Sequence, residues 1–190
     1  MLIAAAAVLP THGFGPLCSA TAPAGVDSPI GHPARPHPAA LLDEHEFVAE
    51  LLEGLDAFPA YYKHMGPANE QGARAIDLSP ADVADPEELR RRIDAGEWVV
   101  DLRHRRVFAG DHVKGSLSFD VHGNAVTYLG WMIDWGTPIT LLGADADEVQ
   151  TMQRELVRIG IDRPVAYAVG QPSDWASSSA GQSSYRRASY

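Results

Sequence analysis

The chemistry available to this chain of 190 residues is narrow. Cys18 is its single thiol, and His12 precedes it by six positions. Such a pair works as nucleophile and base only where the fold brings the two together, and a half-buried thiol packing beside a loop is the plainer expectation. Asp101, Arg103 and His112 carry the functional groups of an acid–base set. Asp145, Asp147 and Glu148 put three carboxylates into four positions directly after an apolar run. His32, His37, His45 and His64 lack the spacing of metal ligands and read as surface or packing residues.

Composition limits the partners. With 45% hydrophobic and 21% charged residues the chain reads as soluble and globular, long enough for one full domain with part of another. A formal net charge of -10 and a pI near 5.1 exclude nucleic acid and anionic membrane surfaces as main partners, because phosphate binding needs clustered Lys and Arg. One cysteine allows no disulfide within the chain and fits a reducing, cytoplasmic location. Leu2 to Leu9 is apolar but lacks a positive leading region and is too short to span a bilayer.

The elements that must hold these groups follow from pattern. Pro10 to Gly15 forms a loop in which two glycines allow close approach, and the prolines at 23, 29, 33, 36 and 38 preclude regular structure up to residue 42. Asp43 and Glu46 form a capping box for a helix with Phe47, Leu51 and Leu55 on one face. A second helix is expected over Ala60 to Met65, stopped by Gly66-Pro67, with Tyr61, Tyr62 and Met65 used for packing. Asp85 followed by Pro86, Glu87 and Glu88 is a helix start, Leu89 and Ile93 face the core, and Gly96 ends that helix.

Trp98 to Leu102 then reads as a strand buried on both faces, Arg103 to Asp111 as charged and irregular, and Ser116 to Phe119 as a second short strand after a turn at Gly115. A short buried helix spans Ala125 to Asp134, and Pro138 to Leu142 is a further apolar strand. Asp147 with Gln150 caps an amphipathic helix carrying Val149, Met152, Leu156 and Ile159, closed by Gly160, and Pro164 to Val169 is the last strand. This alternation predicts an α/β fold with a parallel sheet and helices on both faces.

Two resemblances attach to these residues. Asp101, Arg103, Phe108, Gly110, His112, Gly115 and Ser116 resemble, in order and spacing, the signature of rhodanese-like domains: D-x-R, then F-x-x-G-H, then G-S, with Asp111 standing between Gly110 and His112 here. PTHGFGPLCS followed by FVAELLEGLDAFPAYYKHMGPANEQG resembles the C-terminal end of metallo-β-lactamase-fold hydrolases of the kind fused to rhodanese domains, a group with persulfide dioxygenases and glyoxalase II-like enzymes. The second resemblance covers about residues 8 to 72, with Pro16 where related sequences usually carry Ser.

The resemblances imply a rhodanese-like parallel sheet preceded by a partial metallo-β-lactamase-fold segment. Residues 1–72 would be that remnant, 73–84 a linker, 85–175 the rhodanese-like domain and 176–190 a disordered tail. Asp101, Arg103, His112, Gly115 and Ser116 would be structural, with Asp101 and Arg103 holding a loop by a charge-assisted hydrogen bond. Rhodanese chemistry takes a thiolate at a strand end, and the implied position is Gly143. The three carboxylates beside it would also repel an anionic sulfur donor, by about 3 kcal/mol per pair at about 5 Å and an effective dielectric near 20.

His12 would be the candidate metal ligand, but H-x-H-x-D-H is absent. No cofactor is therefore expected in this chain, and a Zn or Fe site only if a missing N-terminal half were present. The expectation is an apparently truncated, non-catalytic rhodanese-like module with a binding or regulatory role, partnered by another protein or by the missing domain. A fragment of a metal-dependent hydrolase or persulfide dioxygenase is the first alternative, and a sulfurtransferase using Cys18 the second. Nothing in the sequence sets an oligomeric state.

Overall fold

The computed structural model describes residues 42–55, 57–72 and 74–186. It divides into two compact units, Met1–Ala57 and Phe58–Tyr190. The described part of the first unit holds α1 (Glu44–Glu53), started by the expected capping box. Glu46 N–H donates to Asp43 Oδ1 at 2.9 Å, and Asp43 N–H donates to Glu46 Oε2 at 3.4 Å. No residue of α1 is buried.

The second unit runs through α2 (Tyr62–Gln71), β1 (Asp82–Val83), α3 (Pro86–Asp94), β2 (Trp98–Asp101), α4 (Arg105–Gly110), β3 (His112–Val113), β4 (Leu117–Ser118) and α5 (Ala125–Met132). It continues with β5 (Ile139–Gly143), α6 (Ala146–Leu156), a 3-10 turn at Val157–Ile159, β6 (Ala166–Val169), α7 (Pro172–Trp175) and β7 (Gln182–Ser183). Five strands form a parallel sheet in the order β1-β6-β5-β2-β4, and β3 pairs antiparallel with β7 in a separate ribbon. The expected α/β class with a parallel sheet flanked by helices is the architecture found. Among the described residues no helix is long and apolar enough to cross a membrane.

The central strands are buried on both faces because neighbouring side chains point opposite ways. Val100 and Leu141 join a cluster with Leu129 of α5 and Met152 and Leu156 of α6. Val99 and Leu142 join another with Leu89 of α3 and Trp175 of α7. The Asp85 cap and Pro86 start α3 as expected, with Glu88 N–H donating to Asp85 Oδ1 at 2.8 Å.

Local expectations fail where side chains offer an alternative to the pattern. Residues 105–110 are helical rather than irregular: His104 Nδ1 accepts the Arg106 N–H at 3.2 Å as a cap, and Phe108 is driven into the interior. Gly66-Pro67 does not stop α2, which runs on to Gln71. Pro67 lies in the second turn, where its missing N–H deprives one carbonyl of a donor. The cap of α6 is Asp145, not Asp147, because β5 ends at Gly143 and the helix begins at Ala146.

The segment expected to be a linker over 73–84 ends in β1, whose Asp82 and Val83 pair with Ala166 and Tyr167. The segment expected to be a disordered tail contains β7, because the free edge of β3 offers hydrogen-bonding groups that a polar strand can satisfy. Tyr185 N–H then donates to Ala109 O at 2.8 Å. Residues 187–190 lie outside the described residues.

Residues 58–72 pack with the sheet-bearing unit through aromatic rings. Tyr61 occupies the notch left by Gly130 of α5, where a Cβ would stand 2.9 Å from its ring. His64 stacks on Trp135 with centroids 4.3 Å apart. A Gly130→Val substitution should therefore release α2. Its amides are expected to lose hydrogen-exchange protection while those of β2 and β5 keep theirs.

Candidate functional site

In open parallel sheets the strand C-termini gather the functional loops. At that edge Asp101 ends β2 beside Leu142 of β5, and Gly143 follows. Asp101 is fully buried and Arg103 is 7% exposed. Arg103 Nη2 donates to Asp101 Oδ2 at 2.6 Å, Arg103 Nε donates to Oδ1 at 2.9 Å, and the Arg103 backbone N–H donates to Oδ1 at 3.1 Å. Nη2 also donates to Asp111 O at 2.9 Å, and the guanidinium lies 5.0 Å from the centroid of the Trp175 ring. One side chain thus links the end of β2, the end of α4 and the indole of α7.

His112 lies between Phe108 and Tyr185, with centroids 4.1 and 5.0 Å away and planes tilted by 14° and 23°. It is 4% exposed, and its Nδ1 is 2.8 Å from Phe108 O. A carbonyl only accepts, so Nδ1 carries the proton. Ser116 Oγ donates to Val113 O at 2.7 Å, closing the turn in which Gly115 has φ +90°. A Cβ at Gly115 would meet Ile93 Cγ2 at 2.5 Å, so both backbone and space require glycine. Asp101, Arg103, His112 and Ser116 thus each take part in a buried hydrogen bond, and Gly115 sets the turn between β3 and β4. No hydrogen bond or ion pair among the described residues joins them to the segment 143–148.

The strand end at Gly143 is tightly filled. A Cβ there would stand 2.9 Å from both Asp145 O and Val149 Cγ2. Two of the N–H groups that follow are satisfied from within: Ala144 N–H donates to Glu148 Oε2 at 2.7 Å and Glu148 N–H donates to Asp145 Oδ1 at 3.0 Å. His122 Nε2 lies 3.7 Å from Glu148 Oε1. Two of the three carboxylates, Asp145 and Glu148, thus accept from backbone N–H groups at the head of α6.

Glu148 in this role and Trp175 as the lid on Arg103 were not foreseen. The Asp145-x-x-Glu148 spacing fits a cap as well as Asp147 does, and only the strand end chooses between them. His12 and Cys18 lie outside the described residues. Among the described residues no three His, Cys, Asp or Glu side chains group to hold a metal ion.

No family model matches this chain, and no curated protein sequence matches it. Solved structures do. A metallo-β-lactamase from Staphylococcus aureus subsp. aureus COL is 22% identical, with TM-score 0.53, over 68% of this chain and 36% of that protein. The Rhodanese_3 like domain of the Alr3790 protein from Anabaena sp. is 14% identical, with TM-score 0.41, over 50% of this chain and 98% of that one. A thiosulfate sulfurtransferase from Pseudomonas aeruginosa is 19% identical, with TM-score 0.40, over 50% of this chain and 18% of that one. The chain spans little more than a third of the Staphylococcus protein, and that likeness is one of fold.

Arg103→Met should strand the Asp101 carboxylate in the interior. A loss of about 3–5 kcal/mol in urea unfolding is expected, larger than for exposed Arg90→Met, whose ion pair is worth about 0–1 kcal/mol.

Proposed function

We propose that this chain carries a non-catalytic rhodanese-like module with a binding or regulatory role in a metallo-β-lactamase-fold, sulfur-handling protein. The observation that carries the reading is Gly143: the strand end where the family's nucleophile would stand has no side chain and no room for one. The reading draws further support from the rhodanese-like motif residues, which keep their places as loop anchors while the segment beside them bonds to itself. The proposed partner is another protein or a further domain of the same polypeptide, with the sheet-bearing unit Phe58–Tyr190 as the module.

A thiosulfate:cyanide sulfurtransferase assay on the full chain tests this. Wild type, Cys18→Ala and Gly143→Cys are each expected to release no thiocyanate above the uncatalysed rate. Turnover by wild type that disappears in Cys18→Ala would establish the alternative nucleophile. For Gly143→Cys, overpacking against Val149 should also cost about 1–3 kcal/mol of stability.

A second reading, a fragment of a metal-dependent hydrolase or persulfide dioxygenase, is favoured by the likeness to the Staphylococcus protein over 68% of this chain. An H-x-H-x-D-H segment in frame in the DNA upstream of Met1 would support it. An upstream stop codon with no such segment would remove it.

A further inference from the structure

The segment from Asp77 to Ala81 is fixed by one internal hydrogen bond and by two side chains, Gln153 of α6 and Arg163 ahead of β6. Asp77 Oδ1 accepts the Ser79 N–H at 2.9 Å, and hydrogen bonds from Ser79 hold the Asp77 carboxyl below the usual carboxylate range. Gln153 of α6, 5% exposed, donates from Nε2 to Ser79 O at 3.0 Å. Arg163 Nη2 donates to Pro80 O at 2.8 Å. Both carbonyls of the Ser79-Pro80 pair are therefore fixed, and the strap is set before any ligand arrives.

Beneath it lies a cavity of about 320 Å3, the lower end of the range for small-molecule sites. Leu78, Pro80, Val149 and Pro164 give it apolar walls, and Val149 and Pro164 are themselves buried. Arg154 and Gln150, one helical turn apart on α6, bring its polar groups. Arg154, like Arg74, Arg105, Arg106 and Arg186, makes no side-chain hydrogen bond or ion pair among the described residues, but of these five it alone lines this cavity, while Arg90, Arg91, Arg92, Arg103 and Arg158 are paired with carboxylates. In a chain of net charge -10, an uncommitted guanidinium at the rim of a preformed apolar cavity selects a monoanion with an apolar body. Neither Gly143 nor the 143–145 loop lines this cavity.

We propose that this cavity binds a small organic carboxylate, its carboxylate on Arg154 and Gln150 and its apolar body against Leu78, Val149 and Pro164. The site lies apart from the 143–145 loop and shares only Val149 with the packing around Gly143. Benzoate is a suitable probe, with benzamide and inorganic sulfate as controls that lack the charge and the apolar body respectively. Titration of the full chain should give saturable benzoate binding by calorimetry, with amide NMR shifts centred on Gln150, Gln153, Arg154 and Tyr167.

Benzamide and sulfate are each expected to bind about tenfold more weakly or worse, and Arg154→Gln should weaken benzoate by about tenfold. Leu78→Ser, on the exposed strap, should weaken benzoate while leaving the unfolding midpoint nearly unchanged. No saturation by about 10 mM benzoate overturns the proposal, as does unchanged affinity in Arg154→Gln or sulfate bound as tightly as benzoate.

Discussion

A single buried charge pair constrains the sheet-bearing unit. Taking a carboxylate and a guanidinium out of water costs several kcal/mol per ion, and the interior tolerates them only when hydrogen bonds use up their remaining groups. Asp101 and Arg103 meet that condition through contacts that reach three different elements: their own strand end, the carbonyl of Asp111 after α4, and the indole face of Trp175 in α7. Lysine could not replace the arginine, because a point charge offers neither the fork nor the flat face. The pair therefore fixes where α4 ends and where α7 lies, and through them the ribbon of β3 and β7.

Fold determinants and site chemistry are separable in this molecule. The anchors at Asp101, Arg103, His112 and Ser116 lie around α4 and β3, while at the head of α6 the Ala144 and Glu148 N–H groups are held by the carboxylates of Glu148 and Asp145. Gly143 itself belongs to the sheet, paired with Val169 of β6 and accepting the Gly170 N–H at 3.0 Å.

Much of this was legible in the residues themselves. The apolar runs at 98–102 and 138–142 can only be central strands, and the Asp85-Pro86 and Asp43-x-x-Glu46 patterns name their helix starts through the hydrogen bonds they make. The family resemblance leads one to expect a contact between Asp101 and Arg103, and the two side chains meet at 2.6 Å. What stayed hidden depends on partners distant in sequence. Gln182 and Ser183 look like tail residues until the free edge of β3 is placed beside them. Phe108 pulls a charged stretch into a helix only because a core awaits its ring, and the choice of Asp145 over Asp147 rests on where β5 stops. Gly130 reads as a weak spot in a helix until Tyr61 fills its notch.

Glu148 deserves a thermodynamic reading. Its carboxylate is tethered four residues from the N–H it accepts, so it competes for that donor as an intramolecular partner, with an effective concentration far above that of a dissolved ion. A free thiosulfate or sulfate at millimolar levels would have to displace an acceptor that cannot diffuse away. It would also enter the field of the displaced charge. The tether thus raises the concentration at which any external anion could reach the Ala144 N–H.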